Sequence, residues 1–277
     1  MWSTFVQMFK DLAVWRKQVW HLAYISLRRQ TQNTVFGWAW LFLKPAMYIF
    51  CFWFALFLGM RASGGNMTGA EYLIWLASGI MPWFFLQDTI NQGSHVFNQY
   101  AYLVNKLKFP VALIPVFHML SLMFLHLLLM AVLFVMYVLC GGTFDVYFLQ
   151  LPFIMVLMYV FSVGYSLMTS PLSAISKDVS NLIATLSTIL FWLSGVIFDV
   201  NAIPYHAVQV ALKFNPVTFI VQSYRNVFAN GSVVSGVSGW IWQSPAFFWC
   251  GVGTIVATVF LGLFVFSRLR KEIPDVL

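Results

Sequence analysis

Few residues in this chain could do chemistry, because only 8% of its 277 residues are charged. Asp88 sits among Gln87, Asn91 and Gln92 at the end of an apolar run, where a polar boundary is the expected role. His118 and His126 are eight residues apart, which sets them about 80° apart around a helix. Neither has a nearby Cys, Asp or Glu to complete a zinc site, so packed or hydrogen-bonded histidines are expected and no metal. Lys177 and Asp178 form a charged pair in a turn, while Asp145 and Asp199 are scattered. A membrane-embedded glycan or lipid transferase would need carboxylates or histidines clustered at one membrane face. Cys51, Cys140 and Cys250 stand alone, with neither ligand spacing nor a disulfide framework. The loop G-x-x-x-x-G-K followed by Ser or Thr, which cradles a nucleotide triphosphate, is absent from the sequence. The chain is therefore expected to be no enzyme and to bind no cofactor itself; any ATP and Mg would sit on a separate subunit.

The elements that must position these residues are membrane elements. Hydrophobic residues make up 61% of the chain, whereas soluble domains are about a quarter charged. An all-α fold is expected, with six spans of roughly 20 apolar residues each. They run over about Val35–Gly59, Glu71–Thr89, Val111–Cys140, Tyr147–Thr169, Val179–Phe198 and Pro245–Phe266. The third is long enough to tilt or to kink near Pro115.

Residues 1–33 form a separate amphipathic unit. Lys10, Lys17, His21 and Arg28 share one stripe at about 100° per residue, opposite Phe5, Phe9, Leu12, Val19, Ala23 and Leu27. Such a helix lies in the membrane surface. Residues 34–277 form the transmembrane domain. Within it, about 95–110 reads as a cytoplasmic amphipathic helix ended by Pro110. Its apolar face recurs through Val96, Tyr100, Leu103 or Val104, and Leu107, while Asn98, Gln99, Asn105, Lys106 and Lys108 supply polarity. That face suits either lipid headgroups or a groove on a soluble partner.

Residues 199–244 are too long for a turn and contain two half-length apolar stretches, Ala207–Phe214 and Val217–Phe228, parted by Asn215 and Pro216. Segments this short read as re-entrant or interfacial helices. Gly231–Gly239 reads as a flexible outer loop, and about 267–277 is a tail.

The net charge of +7 orients the chain and calls for no nucleic acid. Twelve of the 15 Lys and Arg fall on the N-terminal side of the six-span topology, leaving Arg61, Lys213 and Arg225 opposite. Both termini are then cytoplasmic. Aromatic residues form 19% of the chain. Belts and lipid-facing packing account for most, yet the series Phe36, Trp38, Trp40, Tyr48, Phe52 and Trp53 is dense enough to offer sugar rings a stacking surface.

In order along the chain, GWAWLFLKPAMYIFCFWFALFLGM, SGIMPWFFLQDTINQGSHVFNQYAYLVNKLKFP, SAISKDVSNL, FNPVTFIVQSYRNVF and the terminal EIPDVL resemble the transmembrane subunit of type-2 ABC exporters. The resemblance covers nearly the whole chain. It is to the branch that exports O-antigen, teichoic acid or capsular polysaccharide; Lys177 stands where that branch commonly has Arg. The resemblance implies a homodimer in the bacterial inner membrane, served by two copies of a cytosolic ATPase and carrying a lipid-linked polysaccharide. It implies an ATPase-coupling segment at Asn98, Gln99, Tyr100, Tyr102, Leu103, Lys106, Leu107 and Lys108. It also implies a channel wall including Trp38, Trp40, Tyr48, Phe52, Phe191 and Trp192, with outer re-entrant helices marked by Pro204, Asn215, Pro216 and Arg225. Export of a lipid or small molecule is the nearest alternative, and an integral-membrane glycan or lipid transferase a more distant one.

Overall fold

The computed structural model describes residues 2–31, 36–60, 67–106, 109–228 and 239–273. Leu107, Lys108, Arg61, most of the Gly231–Gly239 loop and the last four residues of EIPDVL lie outside them. The described residues are helical, with no strand among them. Helix α1 covers Trp2–Thr31, α2 Ala39–Trp53 with a π-helical turn over Phe54–Gly59, and α3 Gly69–Ser94. Two short helices follow, α4 at Val96–Gln99 and α5 at Ala101–Lys106, and then α6 at Leu113–Leu139. Next come α7 (Leu151–Ile175), α8 (Lys177–Leu193), α9 (His206–Lys213), α10 (Pro216–Phe228) and α11 (Pro245–Leu269).

Local signals set the boundaries. Thr68 opens α3 with a capping box: its hydroxyl accepts from the Glu71 amide at 3.3 Å, and the Glu71 carboxylate accepts from the Thr68 amide at 2.8 Å. Ser176 caps α8 by accepting from the Asp178 amide at 3.3 Å, and Asp178 complements the helix dipole in the first turn. Pro245 begins α11, where a missing N–H costs nothing.

Five helices are long and apolar enough to cross a membrane: Ala39–Gly59, Gly69–Ser94, Leu113–Leu139, Val146–Ile175 and Pro245–Leu269. The remaining expected span is shorter than its hydrophobic pattern suggested. Helix α8 has 17 residues, about 25 Å of helix, and stops at Leu193 rather than continuing to Phe198. The cause is Gly195, whose φ of +65° is the left-handed conformation that ends helices just past the cap.

Helix α3 is the hub. In its most apolar stretch 83% of residues are buried, against 11% in α2, so α3 is surrounded by protein while α2 is attached along one side. Helices α7 and α11 pack backbone against backbone at two glycines. A Cβ on Gly164 would come within 2.8 Å of Val259 Cα, and one on Gly262 would collide with the Gly164 carbonyl. Small residues let membrane helices gain dispersion contact where the hydrophobic effect gives no drive.

Helix α1 turns Val19, Ala23 and Ser26 inward against α6, with Phe5, Leu12 and Leu27 partly covered. Phe9 and Trp20 remain more than half exposed.

The two half-length helices behave differently. No residue of α9 is buried, whereas Val217–Phe228 of α10 are all buried, against α3, α7 and α11. Helix α10 starts at Asn215, whose Oδ1 accepts from the Val217 amide at 3.0 Å while Nδ2 donates to Ser194 Oγ at 2.8 Å. Arg225 follows from the same helix into the bundle and is fully enclosed. Its Nη1 donates to the carbonyls of Gly195 (2.5 Å) and Phe198 (3.1 Å), Nη2 to that of Val196, and Nε to that of Trp75 at 3.4 Å. The guanidinium also lies 3.8 Å from the centre of the Trp75 ring, a cation–π contact strengthened by desolvation. Gly79 makes room, since a Cβ there would meet Nη2 at 2.6 Å.

One residue thus satisfies carbonyls just past α8, where Ser194, Gly195 and Val196 are buried and water cannot serve. Nearby, burial pushes the Asp199 carboxyl up, opposed by the Asn201 amide and by Arg225. The Arg225 side chain is wholly buried and presents no charge at the protein surface.

Replacing Arg225 by Met should therefore orphan several buried carbonyls, each costing about 1–3 kcal/mol, and lower the apparent melting temperature of the detergent-solubilised protein sharply. Arg225→Lys keeps a charge but loses the planar fork and should fall between. Wild-type melting of Arg225→Met, followed by tryptophan fluorescence, would contradict this assignment.

Candidate functional site

Two regions gather the residues that sequence reasoning singled out, at the α4–α5 segment and on the faces of α2 and α8.

The α4–α5 segment is broken at Tyr100 instead of forming one helix. Val96, Phe97, Tyr100 and Leu103 are all buried. They pack in a cluster with Val19 and Ala23 of α1, Leu113 and Phe117 of α6, Leu263 and Phe266 of α11, and Ile273. The apolar stripe therefore faces the protein's own core. Asn98, Gln99 and Tyr102 face outward, with the Arg29 guanidinium 5.7 Å from the Tyr102 ring centre. Lys106 ends α5, and Leu107 and Lys108 fall outside the described residues.

A buried polar knot holds this segment to its neighbours. The Tyr100 hydroxyl donates to Ser26 Oγ at 2.7 Å and lies 3.3 Å from His118 Nδ1. Ser26 Oγ is in turn 3.0 Å from Ser121 Oγ, which donates to the His118 carbonyl at 2.7 Å. Burial pushes the Tyr100 phenol up, with the Ser26 hydrogen bond pulling the other way, so the phenol stays protonated as a donor. The knot joins α1, the α4–α5 segment and α6, three elements whose relative positions would otherwise rest on non-directional packing. His126, two helical turns along α6, hydrogen-bonds the Tyr224 hydroxyl of α10 at 2.8 Å. Both span histidines are thus hydrogen-bonded within the bundle. Asp88 interacts with Lys44 of α2 and with Gln92 of its own helix; α3 runs on to Ser94, so Asp88 lies inside the helix and not at its end.

On the other face, a run of rings crosses three helices. Phe84 lies 5.4 Å from Tyr48, Tyr48 6.3 Å from Phe52, Phe52 5.6 Å from Phe191, and Phe191 5.6 Å from Trp192. Trp83 also contacts Phe191 at 5.4 Å. Tyr48 and Trp192 are about half exposed, at 46% and 56%, so this cluster presents ring faces instead of hiding them. Trp38 and Trp40 are exposed as well, but they stand at the start of α2, apart from the cluster; Trp40 pairs with Phe36.

Sequence reasoning missed the polar part of this face. Asn181, Thr185 and Thr188 are exposed on α8, and Trp192 continues the same line at helical spacing. Thr185 returns its hydroxyl to the Asn181 carbonyl at 3.0 Å, while the Asn181 side chain stays exposed. The i, i+4, i+7 spacing was present in the sequence but was hidden by reading α8 as a uniformly apolar span. Of the outer marks, Pro204 is exposed ahead of α9, while Asn215, Pro216 and Arg225 belong to the anchored start and core of α10.

Comparison with known proteins agrees with this architecture. A family profile described as ABC-2 type transporter matches residues 17–229. Two relatives from Klebsiella pneumoniae, each named O-antigen export system permease protein RfbA, are 21% and 22% identical over 253 residues. Each alignment covers 91% of this chain and 92% of the relative. A bundle of membrane-spanning helices, matched by the family profile over well over half its length and aligned almost end to end with export permeases, establishes that the chain belongs to the ABC-2 type transporter family of membrane proteins as a multi-pass permease subunit.

Proposed function

We propose that this chain is the transmembrane half of an ATP-driven exporter that carries a lipid-linked polysaccharide of the O-antigen, teichoic acid or capsule type across the bacterial inner membrane. The observation that carries the reading is the face of α8, where Asn181, Thr185, Thr188 and Trp192 are left uncovered on a helix embedded among membrane spans. Polar side chains on such a helix face a hydrated path or another protein surface, and amide, hydroxyl and aromatic groups in line suit sugar hydroxyls and ring faces. The names of the aligned relatives point to the same cargo class.

Two copies are required, because one chain supplies only one side of such a path; Tyr48 and Phe52 of α2 and Phe191 and Trp192 of α8 would form each copy's wall. Two copies of a cytosolic ABC ATPase would bind ATP and Mg and dock at the outward face of the α4–α5 segment. In this reading Asn98, Gln99 and Tyr102 meet the ATPase, while Tyr100 and Leu103 act from inside by fixing the segment to α1 and α6. The distribution of Lys and Arg in the sequence supports a cytoplasmic position for both termini and this segment. The region around α9 then lies at the exit.

A lipid or small-molecule cargo is the second reading, favoured by the exposed Leu182, Leu186 and Ile189 beside the polar line on α8. Deleting the gene in its host separates the two: loss of surface polysaccharide with retention of lipid-linked polymer inside the cell supports the first. Normal surface polysaccharide refutes it.

The wall and the coupling segment can be tested separately. Thr185→Leu with Trp192→Ala should reduce polymer export several-fold while leaving assembly with the ATPase intact, as read by co-purification; unchanged export would remove these residues from the path. Gln99→Ala with Tyr102→Ala should weaken ATPase co-purification and its stimulation without loss of fold. Tyr100→Phe removes one buried hydrogen bond, costing about 1 kcal/mol, and should lower ATPase stimulation while docking persists. Full stimulation in both variants would assign docking elsewhere. Leu103→Asp is unsuitable for this purpose, since it would bury a carboxylate in the α1–α6 core.

A further inference from the structure

At the end of the bundle opposite the α4–α5 segment, α9, α10 and the start of α11 enclose a cavity of about 560 Å³, within the size range of small-molecule sites. Its wall on α10 is a line of Thr218, Gln222 and Asn226, spaced four residues apart and therefore stacked on one helical face. These side chains are 0%, 8% and 4% exposed. The Thr218 hydroxyl and the Gln222 amide nitrogen are buried with no hydrogen-bond partner among the described residues. Buried groups left in that state each cost about 1–3 kcal/mol, and elsewhere along this chain the buried threonines and serines commonly return their hydroxyls to a carbonyl one turn back, as Ser223 does to Phe219.

The facing wall carries Lys213 and His206 of α9, and among the described residues no carboxylate lines the cavity. Phe214 and Phe247 supply apolar surface beside them. The combination is directional: an ammonium for an anion, hydroxyl and amide groups that both donate and accept, and ring faces for C–H surface.

We propose that this cavity binds a polyol phosphate, the chemistry shared by glycerophospholipid headgroups and phosphorylated sugars. The phosphate pairs with Lys213 at the mouth, and the polyol hydroxyls satisfy Thr218, Gln222 and Asn226 along α10. The assignment concerns this cavity alone and holds whatever cargo the exporter carries.

The chain contains its own reporter, since the free thiol of Cys250 lines the same cavity. In full-length protein carrying Cys51→Ser and Cys140→Ser, reconstituted in phosphatidylcholine nanodiscs, the rate of Cys250 alkylation by a small maleimide reads occupancy. Phosphatidylglycerol in the disc, or glucose 1-phosphate in solution, should slow alkylation about fivefold or more. Lys213→Ala and Gln222→Leu should each abolish most of that protection and Thr218→Val should weaken it, while unchanged elution volume and melting temperature of the three variants control for folding. Protection by phosphatidylglycerol alone identifies a lipid headgroup; protection by glucose 1-phosphate identifies a phosphorylated sugar. Either supports the site. Absence of protection by both overturns it, as does equal protection by glucose without phosphate, or protection that survives Lys213→Ala and Gln222→Leu.

Discussion

A guanidinium enclosed in an apolar bundle is the contact on which one end of this protein is organised. Removing Arg225 from water is expensive, and the cost is offset only because carbonyls past the end of α8 need donors that no backbone can provide. Each side solves the other's problem. The short length of α8, the left-handed turn at Gly195, the absent side chain at Gly79 and the burial of α10 are all conditions for that exchange. Burial pulls the Arg225 guanidinium down to about 9, opposed by Asp199 and Tyr72, so it stays charged at neutral pH.

A second polar knot does comparable work at the other end. Ser26, Tyr100, His118 and Ser121 bring together the N-terminal helix α1, the short α4–α5 segment and α6. Hydrophobic clustering would hold these elements near one another, but it is non-directional. Hydrogen bonds fix their register, joining the α4–α5 segment to α6 and α1 through defined atoms. The two knots lie at opposite ends of the bundle, with α3 and α6 running between them; His126 and Tyr224 add a further polar tie between α6 and α10.

Much of this was legible in the sequence, and the exceptions have a common cause. The all-α membrane architecture follows from apolar runs that only a helix can carry through lipid, and the amphipathic α1 from its stripe of Lys10, Lys17, His21 and Arg28. The half-length pieces at α9 and α10 were marked by their length and by Asn215–Pro216. Less legible was which side of an amphipathic pattern faces protein. Tyr100 and Leu103 look like a surface stripe until α1 and α6 are seen to cover them, and Arg225 looks like an outer charge until the carbonyls of residues 195–198 surround it. The polar line on α8 was present at helical spacing, but hydropathy averages Asn181, Thr185 and Thr188 away against their leucine and isoleucine neighbours. Composition reveals the solvent of a segment, whereas partners brought from 30 or 150 residues away leave no local signature.

The uneven attachment of α2 has a mechanical meaning. A helix buried on several sides can be displaced only by reopening many interfaces at once, and in close-packed protein each gap forfeits contact energy steeply. Helix α2 has only 11% of its apolar stretch buried and leans mainly on α3, through contacts such as Tyr48 with Phe84 and the hydrogen bond from Trp53 Nε1 to the Gly69 carbonyl. It behaves as a compliant wall fixed to a stiff post. Displacing it by a few ångströms strains one seam, and the width of any passage beside it can vary while α3, α7 and α11 keep their spacing.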